Sequence, residues 1–147
     1  MLRVRCQATA TLDDKGRLAL PAVLRRAFVK HDVDSLVLTY FGGALWGWTP
    51  EVFERNIEGP IAAQDPFDQA VVQFSHAILA PAQDLDLDRQ GRIRVPQLLR
   101  DLASLNKEVV VNSLADRLEI WDKATWDARF EACLKAAPSL TGMPRSS

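Results

Sequence analysis

A five-residue motif, Asp-x-x-Gly-Arg, occurs twice in this sequence and carries the side chains best suited to chemistry. The first copy runs from Asp13 to Arg17 and the second from Asp88 to Arg92, 75 residues further on. A guanidinium group can make two parallel hydrogen bonds to guanine O6 and N7, or grip a phosphate with the same planar fork. The motif therefore indicates that cations are presented twice to a polyanion such as DNA.

A purely structural interpretation of the motif is also open. Asp13 and Asp88 would cap their turns by accepting backbone N–H groups, and Arg17 and Arg92 would pair with nearby acids. The DNA-binding interpretation adds further basic side chains around the two turns: Lys15, Arg3, Arg5 and Arg25 in the first copy, and Arg89, Arg94 and Arg100 in the second. Residue types alone do not separate the two interpretations.

Patterns typical of catalytic and metal sites are missing from the sequence. His31 and His76 are far apart and Cys6 and Cys133 are isolated, so we expect no metal site and no disulfide framework. The serines lie in no nucleophile-elbow pattern, and Gly42-Gly43 is better explained as a hairpin turn than as a phosphate loop. We therefore expect no enzyme, no cofactor and no small-molecule substrate.

Charge is unevenly distributed along the 147 residues, although the net charge is only −1. Residues 1–30 carry seven basic and two acidic side chains, residues 31–88 carry one and ten, and residues 89–147 carry ten and seven. The two positive blocks contain the two motifs, as a nucleic-acid partner requires. We expect the acidic middle block to face away from DNA or toward a neighbouring subunit.

Each motif lies within the same predicted succession of elements. A short strand leads into the turn, Gly16 or Gly91 takes a positive φ, and a second strand alternates between basic and apolar residues. Pro21 and Pro96 then end the strands and precede helices. The remaining predicted elements are helices over 22–28 and 97–103 and hairpins pairing 36–40 with 44–48 and 108–112 with 117–121. Two further helices are predicted to begin after the N-caps Thr49 and Asp122, and a third is predicted to run from residue 67 to about residue 79, after Asp65-Pro66.

The repeat predicts how the chain is organised. Residues 1–80 form the first half with its helices, residues 81–137 form the second half, and the Pro-, Ser- and Thr-containing tail 138–147 is predicted to be disordered. A single half would leave strand edges unpaired, so we expect the two halves to combine. The predicted fold is α+β, with one β-barrel-like core and flanking helices.

Two copies of Asp-x-x-Gly-Arg-(apolar)-x-(apolar)-Pro at this spacing, each followed by a hairpin and an aromatic-bearing helix, resemble the MraZ family of tandem SpoVT/AbrB-like proteins. The resemblance covers residues 2–134. It implies two pseudo-symmetric SpoVT/AbrB-like repeats, with the family's DNA-contacting arginines at Arg17 and Arg92. Lys15 matches a frequent lysine of the first turn, whereas its counterpart Gln90 is uncharged. Arg5 lies near a basic position of the relatives.

The resemblance also implies a function. Family members are bacterial transcriptional regulators, cytoplasmic and nucleoid-associated, that repress the promoter of the division and cell-wall gene cluster, including their own gene. They bind short direct repeats of double-stranded DNA as ring-shaped homo-oligomers. No apolar run approaches the roughly 20 residues of a membrane span, so we expect no membrane partner. The alternative is an antitoxin-like protein-interaction module of the same superfamily.

Overall fold

The two short strands that begin at the motif arginines pair with each other in a sheet separate from the main one. β2 (Arg17–Ala19) and β6 (Arg92–Arg94) are antiparallel, with Leu18 opposite Ile93. We call this pair the ribbon. The computed structural model describes residues 3–136 and 139, so the predicted disorder of 138–147 falls outside the described residues except for Ser139. The ribbon is the element that brings the two motifs together.

The other six strands form one antiparallel sheet in the order β1-β7-β8-β4-β3-β5. The two predicted hairpins are confirmed and lie side by side, because β4 pairs with β8 through Leu45 opposite Ile120. The strands are β1 (Cys6–Thr11), β3 (Ser35–Phe41), β4 (Ala44–Trp48), β5 (Gln83–Asp86), β7 (Glu108–Leu114) and β8 (Arg117–Asp122).

The predicted α+β class is confirmed, but the prediction of a β-barrel-like core is wrong. Among the described residues, β1 pairs only with β7 and β5 only with β3, so the sheet keeps two edges and stays open. Both edge strands lead through a motif turn into a ribbon strand. The ribbon is a separate two-stranded sheet, so it does not bridge β1 to β5.

One face of the sheet packs against the ribbon and two helices. Leu18 and Ile93 from the ribbon are buried there with Leu24 and Phe28 of α1 (Ala22–Lys30) and Leu99 of α5 (Gln97–Leu102). The alternation predicted for the ribbon is thereby confirmed, because its apolar residues enter the core and its arginines face away. This packing holds the ribbon at a fixed position on the sheet.

The opposite face is covered by the remaining helices. Trp48 packs on Phe53, with ring centroids 5.2 Å apart, and Trp126 packs on Trp121 at 5.6 Å. The helical segments are α2 (Pro50–Phe53), π1 (Glu54–Glu58), α3 (Gly59–Ala62), α4 (Gln69–Phe74), π2 (Ser75–Leu79) and α6 (Lys123–Lys135). The ribbon and this helical layer therefore lie on opposite sides of the sheet.

The helix starts predicted after Thr49 and Asp122 are confirmed, whereas the cap predicted at Asp122 and the start predicted after Asp65 are corrected. Thr49 caps α2 by accepting the N–H of Val52 at 3.4 Å. Asp122 precedes α6 as predicted but does not cap it, because its carboxylate instead accepts the N–H of Asn106 at 2.9 Å. The helix predicted to begin at residue 67 begins two residues later, because Asp68 supplies the cap.

Candidate nucleic-acid interface

The two motif turns have the same hydrogen bonds. Asp13 Oδ1 accepts the N–H groups of Lys15 at 2.9 Å and Arg17 at 2.8 Å. Asp88 Oδ1 accepts the corresponding N–H groups of the second turn, at 2.8 and 2.9 Å. The glycine of each turn has positive φ, +80° at position 16 and +72° at position 91. Both turns are therefore closed by the aspartate through local backbone contacts, as the sequence predicts.

The same aspartates also hold the motif arginines. Arg17 Nε donates to Asp13 Oδ2 at 2.7 Å, and Arg92 Nε donates to Asp88 Oδ2 at 2.8 Å. The backbone N–H of each arginine lowers the pKa of its aspartate most, and these side-chain bonds lower it further, so the pKa of each aspartate lies below its ordinary value. The pairing expected under the structural interpretation is therefore present in both turns.

This pairing leaves the outer end of each guanidinium accessible. Only Nε is used by the aspartate, and within residues 3–136 neither arginine has a hydrogen-bond partner at its terminal nitrogens. The Arg17 side chain is 44% exposed and the Arg92 side chain 36%. Because an arginine fork can bind guanine or phosphate through its two terminal nitrogens, the ion pair orients the side chain without blocking that contact.

The ribbon places three arginines on one solvent-facing surface. Arg17 lies opposite Arg94, and Arg92 lies opposite Ala19, in the antiparallel register. Arg94 is exposed, and its Nε donates to the backbone carbonyl of Lys15 at 3.2 Å. The predicted residues of the two distant motifs thus come together, because an antiparallel pair brings strand ends from both halves side by side.

Two helix arginines have packing contacts that sequence reasoning missed. A Cβ at Gly16 would lie 3.1 Å from the guanidinium of Arg100, and a Cβ at Gly91 would overlap the side chain of Arg25. Arg25 Nη1 also donates to the carbonyl of Gln90 at 3.4 Å. Each helix arginine therefore covers the turn of the other motif. The sequence did contain a signal for this shared role, because Arg25 and Arg100 follow the aspartate of their own motif at the same sequence separation.

The remaining predicted residues divide into two locations. Lys15 and Arg89 are exposed in the first and second turns, beside the ribbon. Arg5 precedes β1 and lies with Arg3 in a groove near Ser113, at the end of β1 remote from the first turn. Six residues of extended strand span about 20 Å, so Arg5 is not brought to the ribbon surface.

Metal-binding clusters and membrane-spanning helices are the other kinds of site that a chain of this size could carry. In the part of the chain that the structure describes, no group of three or more His, Cys, Asp and Glu residues could hold a metal ion. No helix among residues 3–136 combines the length and the apolar character that crossing a membrane takes.

Comparison with known proteins gives consistent matches. Residues 78–143 match the family described as "MraZ protein, putative antitoxin-like". A protein of Syntrophobacter fumaroxidans named "Transcriptional regulator MraZ" is 33% identical over 129 residues, which cover 86% of this chain and 84% of the relative. Proteins of the same name from Maridesulfovibrio salexigens and Legionella pneumophila are 34% and 30% identical, covering 88% and 91% of this chain and 87% and 90% of their own. The similarity thus extends over both motifs.

Proposed function

Because the chain belongs to the MraZ family, we propose that it is a DNA-binding transcriptional regulator and not an enzyme. The curated relatives are named transcriptional regulators. The observation that carries the proposal in this chain is the ribbon, with Arg17, Arg92 and Arg94 on its solvent-facing surface. A two-stranded antiparallel ribbon has the width of the major groove of B-DNA, so it can present these side chains to base edges.

The aspartates have a specific part in this proposal. Asp13 and Asp88 bind the Nε side of their arginines, so each guanidinium is oriented before DNA arrives. An oriented side chain loses less conformational freedom on binding, which favours affinity. Lys15 and Arg89 would add phosphate contacts at the turns, whereas the aspartates reduce the net positive charge. A single protomer should therefore bind DNA weakly.

Assembly of several copies on one promoter would compensate for this weak single-site binding, as the family resemblance implies. The two halves act as SpoVT/AbrB-like repeats, and several protomers in a ring engage direct repeats in the promoter of the division and cell-wall cluster, including the protein's own gene. Linked sites raise apparent affinity by about 100-fold or more where the geometry permits. The protein would then act as a repressor in the cytoplasm, associated with the nucleoid.

Binding to DNA from upstream of the protein's own gene, titrated against salt, tests the proposal. Arg17→Ala and Arg92→Ala should each weaken specific binding by about 5- to 150-fold, the value of one lost bidentate base contact. Arg55→Ala is the matched control, because Arg55 also lies four residues after an acidic partner, Glu51, but on the opposite side of the sheet. Equal affinity for all four proteins would refute the assigned site.

A second candidate, an antitoxin-like protein-interaction module, is favoured by the wording of the matched family description. It makes a different prediction for the same titration. The wild-type chain would then show no preference for its own upstream DNA over a scrambled sequence of equal length, at any salt concentration.

A further inference from the structure

The loop between α3 and α4 presents an aromatic side chain to solvent. Phe67 is 86% exposed, more than any other large apolar residue among those described, and it lies between Asp65 and Asp68. Asp65 Oδ1 accepts the N–H of Phe67 at 2.9 Å, and Asp68 Oδ1 accepts the N–H of Ala70 at 2.8 Å. We call Asp65–Asp68 the knob. Its backbone is fixed by these bonds, so docking it would cost little conformational entropy.

A groove of about 500 Å³ at the start of β1 has the complementary character. Arg3 and Arg5 are exposed along it, with Val4 and Ala115 supplying apolar surface. Its one acid, Asp116, already lies 3.5 Å from Arg117, so its charge is partly compensated. We call this the β1 groove. Its volume is in the range that accommodates an aromatic ring, and its two cations match the two acids of the knob.

The knob and the β1 groove are connected to different strands of the sheet. The knob leads through α4 into π2, which packs on β3, where Thr39 Oγ1 donates to the Ile78 carbonyl at 2.6 Å. The groove lies at the edge strand β1, and β7, β8 and β4 separate β1 from β3. Four strand spacings correspond to about 19 Å. A contact between knob and groove of different copies would be head-to-tail, which generates a ring or a filament.

A second basic groove competes for the knob and is excluded by its position. It is lined by Arg25, Arg26, Lys30 and Arg89, and it adjoins the second motif turn. In the proposed function this turn faces DNA, so a protein segment bound there would block the ribbon. Acidic side chains at that surface would also repel phosphate. The β1 groove, at the end of β1 remote from the first turn, stays accessible while DNA is bound.

We propose that the knob of one copy inserts Phe67 into the β1 groove of the next, with Asp65 and Asp68 facing Arg3 and Arg5. This inference rests on the part of the proposed function that requires several copies, and it assigns the surfaces that join them. It also gives Arg5, which lies away from the ribbon, a role in assembly and not in DNA contact. The aromatic side chain supplies most of the affinity, and the charges select the partner surface.

Photo-crosslinking tests the contact directly. The full chain is prepared with p-benzoylphenylalanine in place of Phe67, mixed with ¹⁵N-labelled copies, irradiated, and digested for mass spectrometry. We expect mixed-isotope crosslinks to peptides containing residues 3–5 or 113–116. The same probe in place of Val29, which is 83% exposed beside the other groove, is the control and should not reach these peptides. Crosslinks from position 67 only to other surfaces would overturn the proposal.

Sedimentation velocity of the full chain tests the energetic importance of the contact. Phe67→Ser should weaken self-association by at least ~30-fold, the effect of losing an interface hot spot, whereas Val29→Ser should not. Arg17→Ala should weaken DNA binding and stay assembled, so failure of DNA recognition and failure of this contact are distinguishable. A Phe67→Ser chain that assembles like wild type, or a wild-type chain that stays monomeric, would overturn the inference.

Discussion

Three glycines with positive φ offer a graded test of how the ribbon is built. Gly42 has φ +61° with nothing within 4 Å of a built Cβ, and Gly91 has φ +72° with the flexible side chain of Arg25 in the way. Gly16 has φ +80°, and its Cβ would lie 2.6 Å from the backbone carbonyl oxygen of Val95. The three positions therefore share a backbone conformation and differ in what an added methyl group meets.

The expected costs of alanine follow from these surroundings. The left-handed conformation costs an L-residue about 1–2 kcal/mol, and alanine recovers about 0.4–1 kcal/mol by restricting the unfolded chain. Gly42→Ala should therefore destabilise by about 0–1.6 kcal/mol. Gly91→Ala should cost somewhat more, because Arg25 must move. Gly16→Ala should cost roughly 2–4 kcal/mol, because Val95 is fixed by its own hydrogen bond to Gly16 and the clash adds about 1–3 kcal/mol.

Urea unfolding followed by fluorescence measures this series, because the chain has four tryptophans. The midpoint should fall in the order wild type, Gly42→Ala, Gly91→Ala and Gly16→Ala, with unchanged slopes. Gly42→Ala is the internal control for the backbone term. If Gly16→Ala were no more destabilising than Gly42→Ala, the close approach of the first turn to the second ribbon strand would not contribute to stability, and this reasoning would be wrong.

Three further predictions concern single groups. The pKa of Asp13 and of Asp88 lies below the ordinary 3.8, so their ionised forms stabilise the fold above pH 3.8, and this contribution is lost as the pH falls further through the folded pKa. The double variant Asp13→Asn/Asp88→Asn should therefore lose stability less steeply than wild type between pH 4 and pH 2. Parallel acid-unfolding curves for the two proteins would contradict this. Thr39→Val removes the buried hydrogen bond to the Ile78 carbonyl and should cost about 1–3 kcal/mol in urea unfolding, whereas an unchanged midpoint would show that this carbonyl finds another partner. Asn112 is buried, and neither its Oδ1 nor its Nδ2 has a hydrogen-bond partner among the described residues. Because a buried amide without partners is unfavourable, Asn112→Val should leave thermal stability unchanged or raise it. A large fall in Tm would indicate a polar partner for this amide.

Local interactions explain why much of the candidate site could be read from the sequence. The turn from Asp13 to Arg17 is closed by contacts spanning two to four residues, and the same residue types recur from Asp88. Contacts of this range depend on residue type and spacing, which a sequence displays directly. The hairpin around Gly42-Gly43 and the Thr49 cap were predictable for the same reason.

Contacts between distant segments were decided only by the tertiary structure. Asp122 stands in an N-cap position, yet its carboxylate binds Asn106, 16 residues earlier in the chain. The sequence suggests that Arg25 and Arg100 are exposed cations, but in the structure Arg25 packs over Gly91 and Arg100 packs over Gly16. Each of these outcomes depends on which segment the folded chain brings near, and no local pattern records that.

The sequence by itself determined that two arginine-bearing turns exist and which side of their strands faces solvent, since alternation and turn chemistry are local properties. The tertiary structure decided that β2 and β6 pair with each other, that the sheet stays open, and that Arg5 lies about 20 Å from the first turn. Strand pairing is chosen by burial of apolar side chains across the whole core. Leu18 and Ile93 are buried only when both halves pack together, so the ribbon is a property of the complete fold.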